Sequence, residues 1–179
     1  LASKEIPHPA FDALFTIDEE TGMTGALGLK SGVLKGEILL NLDTEEDDEL
    51  DIGCAGGLDV TATRTYNEEL TPAGSTAYKV NVKGLNGGHS GIEIHKGLGN
   101  ANKIMNRLLF DGYKNFGLQI AELNGGSLRN AIPRESSAIV IVNSNSDEDF
   151  TAWISKTANE IKAEFNTVDP KLTITVVKA

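Results

Sequence analysis

The segment Thr76-Ala-Tyr-Lys-Val-Asn-Val-Lys83 alternates small or apolar with polar side chains, and it decides the fold of the second half of the chain. A period of two is typical of a strand with one buried and one exposed face. A glycine-rich loop follows, and then residues 98–110, in which Ile104, Leu108 and Leu109 recur at helical spacing. We therefore predict a strand, a loop and a helix in this order.

Four further elements complete the pattern. Residues 116–123 and 137–143 are predicted to form strands, a helix is predicted to begin at a capping Ser146 with an acidic first turn, and residues 172–177 form a last strand. The order βαββαβ is that of the ferredoxin-like fold. RNA-binding modules share this order, but residues 137–143 contain no aromatic side chain on which a base could stack. We therefore disfavour an RNA-binding function.

The composition is that of an acidic globular chain. Of the 179 residues 40% are hydrophobic, and 16 basic against 26 acidic residues give a net charge of −10, which repels phosphate backbones and excludes nucleic acid as an expected partner. No apolar run approaches the roughly 18 residues that a membrane span needs. The single cysteine, Cys54, precludes an intrachain disulfide, which fits a reducing compartment. We therefore expect a cytoplasmic location without membrane contact.

The first third of the chain shows a strand–helix–strand pattern at residues 11–17, 22–30 and 37–42. Asp18, Glu19 and Glu20 follow the first predicted strand, and Asp43 follows the second. The carboxyl ends of the strands in such a unit meet at the edge where α/β enzymes bind ligands. One carboxylate could bind a cation there while its neighbour moves protons. The pattern predicts a metal site, with an acidic loop that caps the next helix as the alternative.

Two glycine-led loops are the candidate ligand-binding segments of the second half. Gly84-Leu-Asn-Gly-Gly-His-Ser-Gly91 places His89 among small residues, where its imidazole could donate a hydrogen bond to an oxyanion. Gly125-Gly-Ser-Leu-Arg-Asn-Ala-Ile-Pro133 contains Arg129 and Asn130, which can both donate to a carbonyl or a carboxylate. Taken alone, each loop is also compatible with an ordinary exposed turn.

Together, five segments resemble the di-zinc aminoacylase/carboxypeptidase superfamily of metallopeptidases, in the order expected for it. They are Asp-Glu-Glu-Thr-Gly-Met-Thr-Gly-Ala (18–26), Asn-Leu-Asp-Thr-Glu-Glu (41–46), Gly-Cys-Ala-Gly-Gly (53–57), Gly-Gly-His-Ser-Gly (87–91) and the 125–133 loop. The second and third segments are similar to those of the Xaa-His (aminoacyl-histidine) dipeptidases within it. The resemblance extends over nearly the whole chain.

The resemblance implies an α/β (α+β) architecture, with residues 1–56 as part of a βαβ-type catalytic domain and residues 57–179 as a ferredoxin-like lid. It implies a site for two zinc ions, although manganese and cobalt sites share the same ligand types. Glu19 would be the general base that activates the metal-bridging water, and Glu20 and Asp43 would be metal ligands. The substrate would be a small dipeptide.

For the lid, the resemblance implies that His89 stabilises the oxyanion and that Asn130 binds the substrate, with Arg129 as a further candidate. The lid would also be a candidate for homodimer formation. The superfamily further uses a His-x-Asp pair and an Asp upstream, and a histidine downstream, which this sequence lacks. We therefore expect an internal fragment that is inactive by itself. Another peptidase or deacylase of the superfamily, or a non-catalytic ferredoxin-like module, are the alternatives.

Overall fold

The computed structural model describes residues 3–42, 48–53, 56–58 and 60–179. The chain divides into two units, Leu1–Thr63 and Arg64–Ala179. In the described part of the first unit, the one helix or strand is α1 (Thr24–Leu27), a single turn. The extended regular structure therefore lies in the second unit.

The second unit contains six strands and two long helices. They are β1 (Ser75–Lys83), β2 (Gly88–His89), α2 (Ala101–Phe116), β3 (Gln119–Gly125), β4 (Ala131–Ile132), β5 (Ser136–Asn143), α3 (Asp147–Phe165) and β6 (Thr173–Lys178). Four strands form an antiparallel sheet in the order β3-β5-β1-β6, while β2 and β4 pair separately. The ferredoxin-like βαββαβ prediction is confirmed, with the two-residue strands β2 and β4 as additions.

The core lies between one face of the sheet and the two helices. Tyr78, Val80 and Val82 alternate along β1 and are at most 1% exposed, as the period of two predicts. The predicted apolar stripe of α2 is also buried, and Phe150 and Ile154 of α3 belong to the same cluster. The opposite face of β1 carries polar side chains, so one side of the sheet is left open for another role.

A polar cluster fixes the start of α3 to the sheet. Asp147 accepts hydrogen bonds from the Nζ of Lys178 at 2.7 Å and from the Oγ1 of Thr76 at 3.1 Å. The Lys178 ammonium is the main cause that lowers the pKa of Asp147 below its usual value of 3.8. Because a lowered pKa favours the folded carboxylate, this contribution is present above pH 3.8 and is lost as the pH falls through the lowered pKa. Ser146 is the N-cap residue of α3 and the first turn is acidic, as predicted, but the Ser146 side chain makes no capping hydrogen bond.

The elements predicted for the first unit form only in part. Residues 11–17 and 37–42 lie within the described part of the chain and are not strands, and the helix predicted at 22–30 is reduced to Thr24–Leu27. Ile38, Leu39 and Leu40 are 79–83% exposed. A strand is stabilised by a paired backbone and a covered face, and the described residues supply neither to this run. The βαβ arrangement predicted here is therefore absent from the described residues.

Candidate functional site

The two glycine-led loops of the second unit are joined by a short antiparallel ribbon. Gly88 of β2 lies opposite Ile132 of β4, and His89 lies opposite Ala131. The backbone N–H of Ser90 extends the ribbon by donating to the carbonyl of Asn130 at 2.8 Å. The structure thus brings together His89 and Asn130, two of the residues that the sequence singles out.

Backbone hydrogen bonds fix the tautomer of the His89 ring. Its Nδ1 accepts from the N–H groups of Gly91 at 3.1 Å and Ile92 at 3.2 Å. A ring nitrogen that accepts is unprotonated, so in the neutral imidazole the proton lies on Nε2. Because His89 is exposed, this Nε2–H is available as a donor to a ligand. The ring is therefore suited to stabilise an oxyanion.

Glu93 holds the backbone of His89. Its Oε2 accepts from the N–H of His89 at 2.7 Å, while its Oε1 pairs with the Nζ of Lys96 at 2.6 Å. The hydrogen bond from Lys96 and then that from His89 hold the pKa of Glu93 below its usual value of 4.5. Glu93 is therefore ionised near neutral pH and acts as an acceptor in the bend that follows β2.

A cleft of about 850 Å³ opens between the ribbon and the polar face of the sheet. His89 and Asn130 line it, together with the cationic side chains of Lys79, Lys83 and Arg134 and the carboxylate of Glu135. In a chain with a net charge of −10, this local excess of positive charge favours an anionic group such as a substrate carboxylate. Arg129 is not among the described residues that line this cleft, although its two sequence neighbours are.

The lysines of the cleft were not singled out from the sequence, although a signal for them exists. Lys79 and Lys83 occupy the polar positions of the alternating segment that predicts β1. They therefore had to share the open face of the sheet. Which loops cover that face depends on pairing between distant segments, and the pattern of β1 does not contain this information.

Glu19 and Glu20 lie in a turn that Asp18 closes. The carbonyl of Asp18 accepts from the N–H of Gly22 at 3.2 Å, and its Oδ2 accepts from the Oγ1 of Thr24 at 2.8 Å. Asp18 has a φ of 63°, a left-handed conformation that non-glycine residues adopt at a cost. The side chain of Asp18 is thus engaged in the turn, whereas the two glutamates are exposed.

The predicted metal site is represented in part. Glu19 and Glu20 supply oxygen donors of a kind that zinc accepts, but Asp43 lies outside the described residues. Within the ranges that the structure describes, no group of three or more His, Cys, Asp and Glu side chains could hold a metal ion. A zinc site needs about four ligands, so the zinc assignment stays a prediction.

Among the described helices, none is long and apolar enough to cross a membrane.

The chain is similar to two dipeptidases. It is 47% identical to the cytosol non-specific dipeptidase of Escherichia coli (strain K12) over 142 residues. The aligned region covers 79% of this chain and 29% of that protein. It superposes on the crystal structure of aminoacylhistidine dipeptidase from Vibrio alginolyticus with a TM-score of 0.72 and 39% identity, covering 92% of this chain and 34% of that one. The chain therefore spans about a third of the length of either relative.

A family match covers most of the ferredoxin-like unit. Residues 80–169, from β1 to the turn after α3, match the peptidase dimerisation domain. This stretch is half of the chain, and it contains the ribbon and most of the cleft. The chain belongs to the peptidase dimerisation domain family.

Proposed function

We propose that this chain is part of a metal-dependent dipeptidase that hydrolyses Xaa-His dipeptides in the cytoplasm. The observation that carries the proposal is an exposed histidine with its Nε2–H free to donate, at a cleft with an excess of positive charge. Similarity to two proteins named as dipeptidases supports it, and one of them is named for the cytosol. The domain division at residues 56 and 57 is part of the proposal.

Each residue of the cleft has a role in binding or catalysis under this proposal. The substrate carboxylate would bind near Lys79, Lys83 and Arg134, where the local charge is positive. Asn130 would orient the peptide through its side-chain amide, because its own carbonyl is already bonded to Ser90. The Nε2–H of His89 would donate to the oxyanion that forms when the peptide carbonyl is attacked.

The carboxylates of the first unit would supply the metal-dependent chemistry. Glu20 and Asp43 would be metal ligands, and their oxygen donors are compatible with zinc, manganese or cobalt. A bound metal ion lowers the pKa of water so that hydroxide is available near neutral pH. Glu19, which is exposed beside Glu20, would take the proton of that water and return it to the leaving amine.

The proposal is tested by a chimera with the E. coli relative. The stretch of the E. coli dipeptidase that matches this chain is replaced by the corresponding residues of this chain, and hydrolysis of Ala-His, Ala-Ala, Ala-Ala-Ala and N-acetyl-alanine is measured with and without zinc. We expect zinc-dependent turnover of the dipeptides, with Ala-His as the best substrate. This result would support the proposed roles of the candidate residues that the exchanged stretch contains.

Other outcomes separate the alternatives. Preference for the tripeptide or for the acylated amino acid would assign the chain to another branch of the superfamily. A chimera with native circular dichroism and no activity on any substrate would favour a non-catalytic module and contradict the proposal. The unmodified E. coli enzyme is the control for the assay.

A second role, homodimer formation, is supported by an open sheet edge. On the side away from β5, strand β3 is unpaired among the described residues. Ile120 and Leu123 of β3 lie opposite Val140 and Ala138, so they share the helix-facing side of the sheet, and they are 52% and 53% exposed. The neighbouring helix α2 exposes Tyr113 on its surface. We propose that β3 of a second copy pairs here, as the name of the family suggests.

Replacing Leu123 with lysine is expected to convert the dimer into a monomer, because a charge would be buried at the paired edge. The mass of the 179-residue chain and of the variant is measured by analytical ultracentrifugation. Val177→Lys is the matched control, since Val177 is also 53% exposed but lies on β6, the opposite edge strand. Dissociation by Val177→Lys and not by Leu123→Lys would place the interface at β6 and contradict the proposed pairing of β3.

A further inference from the structure

Asp169 is a buried carboxylate that the proposed reaction does not use. It follows α3 in the turn before β6 and is 1% exposed. Its Oδ1 accepts from the backbone N–H of Asn86 at 2.6 Å, and its Oδ2 accepts from the N–H of Gly99 at 2.7 Å. Within the part of the chain that the structure describes, no cationic side chain forms a salt bridge with it. Backbone amides thus bind both of its oxygens.

The two amides lie on either side of His89 in the sequence. Asn86 precedes β2, and Gly99 immediately precedes Asn100, the N-cap residue of α2. One carboxylate therefore closes both ends of the segment that carries His89, which we call the histidine loop (residues 86–99). Hydrogen bonds to a charged acceptor are stronger than those between neutral groups, so this closure is a strong constraint on the loop.

Close packing around Asp169 reinforces the closure. The Nδ2 of Asn86 donates to the carbonyl of Val168 at 2.6 Å, a further bond between the loop and the turn. A Cβ at Gly99 would lie 3.0 Å from the Oδ2 of Asp169 and 2.6 Å from the Cδ2 of Leu85. A side chain at residue 99 would therefore press against the carboxylate, and glycine allows the close approach.

We propose that Asp169 is a positioning residue, which holds the histidine loop so that the Nε2–H of His89 is presented to the cleft. This inference rests on the proposed function for its kinetic consequence. The hydrogen bonds that fix the His89 ring come from Gly91 and Ile92, within the same loop. Without Asp169 the loop would keep its pairing with β4 and its bond to Glu93, but its two ends would move more freely, so the ring would sample more than one orientation and tautomer.

The structural test uses the 179-residue chain with Asp169→Asn. The asparagine side chain can accept from only one of the two amides, and its NH2 group would face the other. We expect hydrogen exchange of the Asn86 and Gly99 amides to rise at least about tenfold. The imidazole nitrogen spectrum of His89 should change from the Nε2–H tautomer to a mixture.

Two comparisons separate positioning from a general loss of stability. Asp147→Asn is the matched control, because Asp147 binds Thr76 and Lys178 at the opposite end of α3 and does not contact the loop. It should lower the unfolding midpoint without changing the His89 spectrum. If Asp169→Asn does not fold, Asn86→Ala removes the bond to Val168 and should change the spectrum in the same direction. An unchanged His89 spectrum in a folded Asp169→Asn chain would overturn the proposal.

The kinetic test uses the dipeptidase chimera. Asp169→Asn should lower kcat with little change in KM, and it should have no further effect when His89 is already alanine, because both changes remove the same donor. An equal loss of kcat in both backgrounds would overturn the proposal. If His89→Ala alone leaves kcat unchanged, the proposed role of His89 fails, and the spectrum of the isolated chain still decides whether Asp169 holds the loop.

Discussion

His89→Ala is expected to lower kcat of the dipeptidase chimera by about 10²- to 10³-fold, the loss found when one oxyanion donor is removed. KM should change little, because a donor aimed at a developing charge acts mainly in the transition state. The expectation depends on the Nε2–H of the ring, since Nδ1 is already occupied by two backbone N–H groups. Initial rates over a range of Ala-His concentrations measure both constants.

The fold should tolerate the substitution. His89 is exposed, so its alanine variant creates no cavity, and the amides of Gly91 and Ile92 lie in an exposed turn where water can replace Nδ1. The N–H of His89 also keeps its bond to the Oε2 of Glu93, because His89 contributes only its backbone to that bond. A loss of kcat with an unchanged unfolding midpoint would therefore show a loss of catalysis and not a loss of folding stability.

His95→Ala is the matched control for His89→Ala. His95 is a second exposed histidine in the same loop, within the 3-10 turn Ile94–Lys96, and it is not among the described residues that line the cleft. Its replacement should leave kcat unchanged. If both substitutions lower kcat equally, the oxyanion role is contradicted. If His89→Ala raises KM alone, the role is also contradicted, and His89 would instead bind the substrate in its ground state.

The ferredoxin-like unit could be predicted because its elements have clear local signals. The alternation of residues 76–83 reappears as β1, and the predicted strand at 137–143 lies within β5. The sequence pattern places the start of α2 too early, at residue 98. Asn100 caps it by accepting from the N–H of Lys103 at 3.1 Å, so the helix begins at Ala101.

The strands predicted at residues 11–17 and 37–42 do not form, and the reason is physical. An apolar run such as residues 37–42 indicates that a segment prefers to be buried, but it does not supply the neighbouring strand that would bury it. Among the described residues this partner is absent, and Leu42 is 95% exposed. Local pattern therefore predicted a preference, and tertiary pairing decided the outcome.

The candidate site was predictable residue by residue but not as an assembly. His89 and Asn130 were found because each lies in a glycine-led loop with chemically useful side chains. Their pairing through β2 and β4, and the contact of Asp169 with Asn86, join residues far apart in the sequence. No local periodicity encodes such contacts, so the structure was needed to find them.

Gly84→Ala is expected to destabilise the second unit by about 2–5 kcal/mol, the sum of two costs. Gly84 has a φ of +80°, a conformation that costs an alanine about 1–2 kcal/mol. An added Cβ would also overlap the carbonyl oxygen of Lys171 and lie 3.0 Å from its carbonyl carbon. Both atoms belong to the backbone, so no side chain can rotate away to relieve the overlap, and overpacking of this kind costs roughly 1–3 kcal/mol.

Gly117→Ala separates the two costs. Gly117 has a φ of +61°, and a Cβ there would have no atom within 4 Å, so its alanine variant should show the conformational cost alone. Urea unfolding of both variants, followed by tryptophan fluorescence of Trp153 in α3, gives the difference in free energy. Lys171 lies two residues after Asp169, in the turn before β6, and Gly84 lies two residues before the histidine loop. The difference in free energy between the two variants therefore measures how rigidly this turn is held against the chain that leads into the loop. Equal losses in the two variants would mean that the turn yields, and a turn that yields could not hold His89 through Asp169.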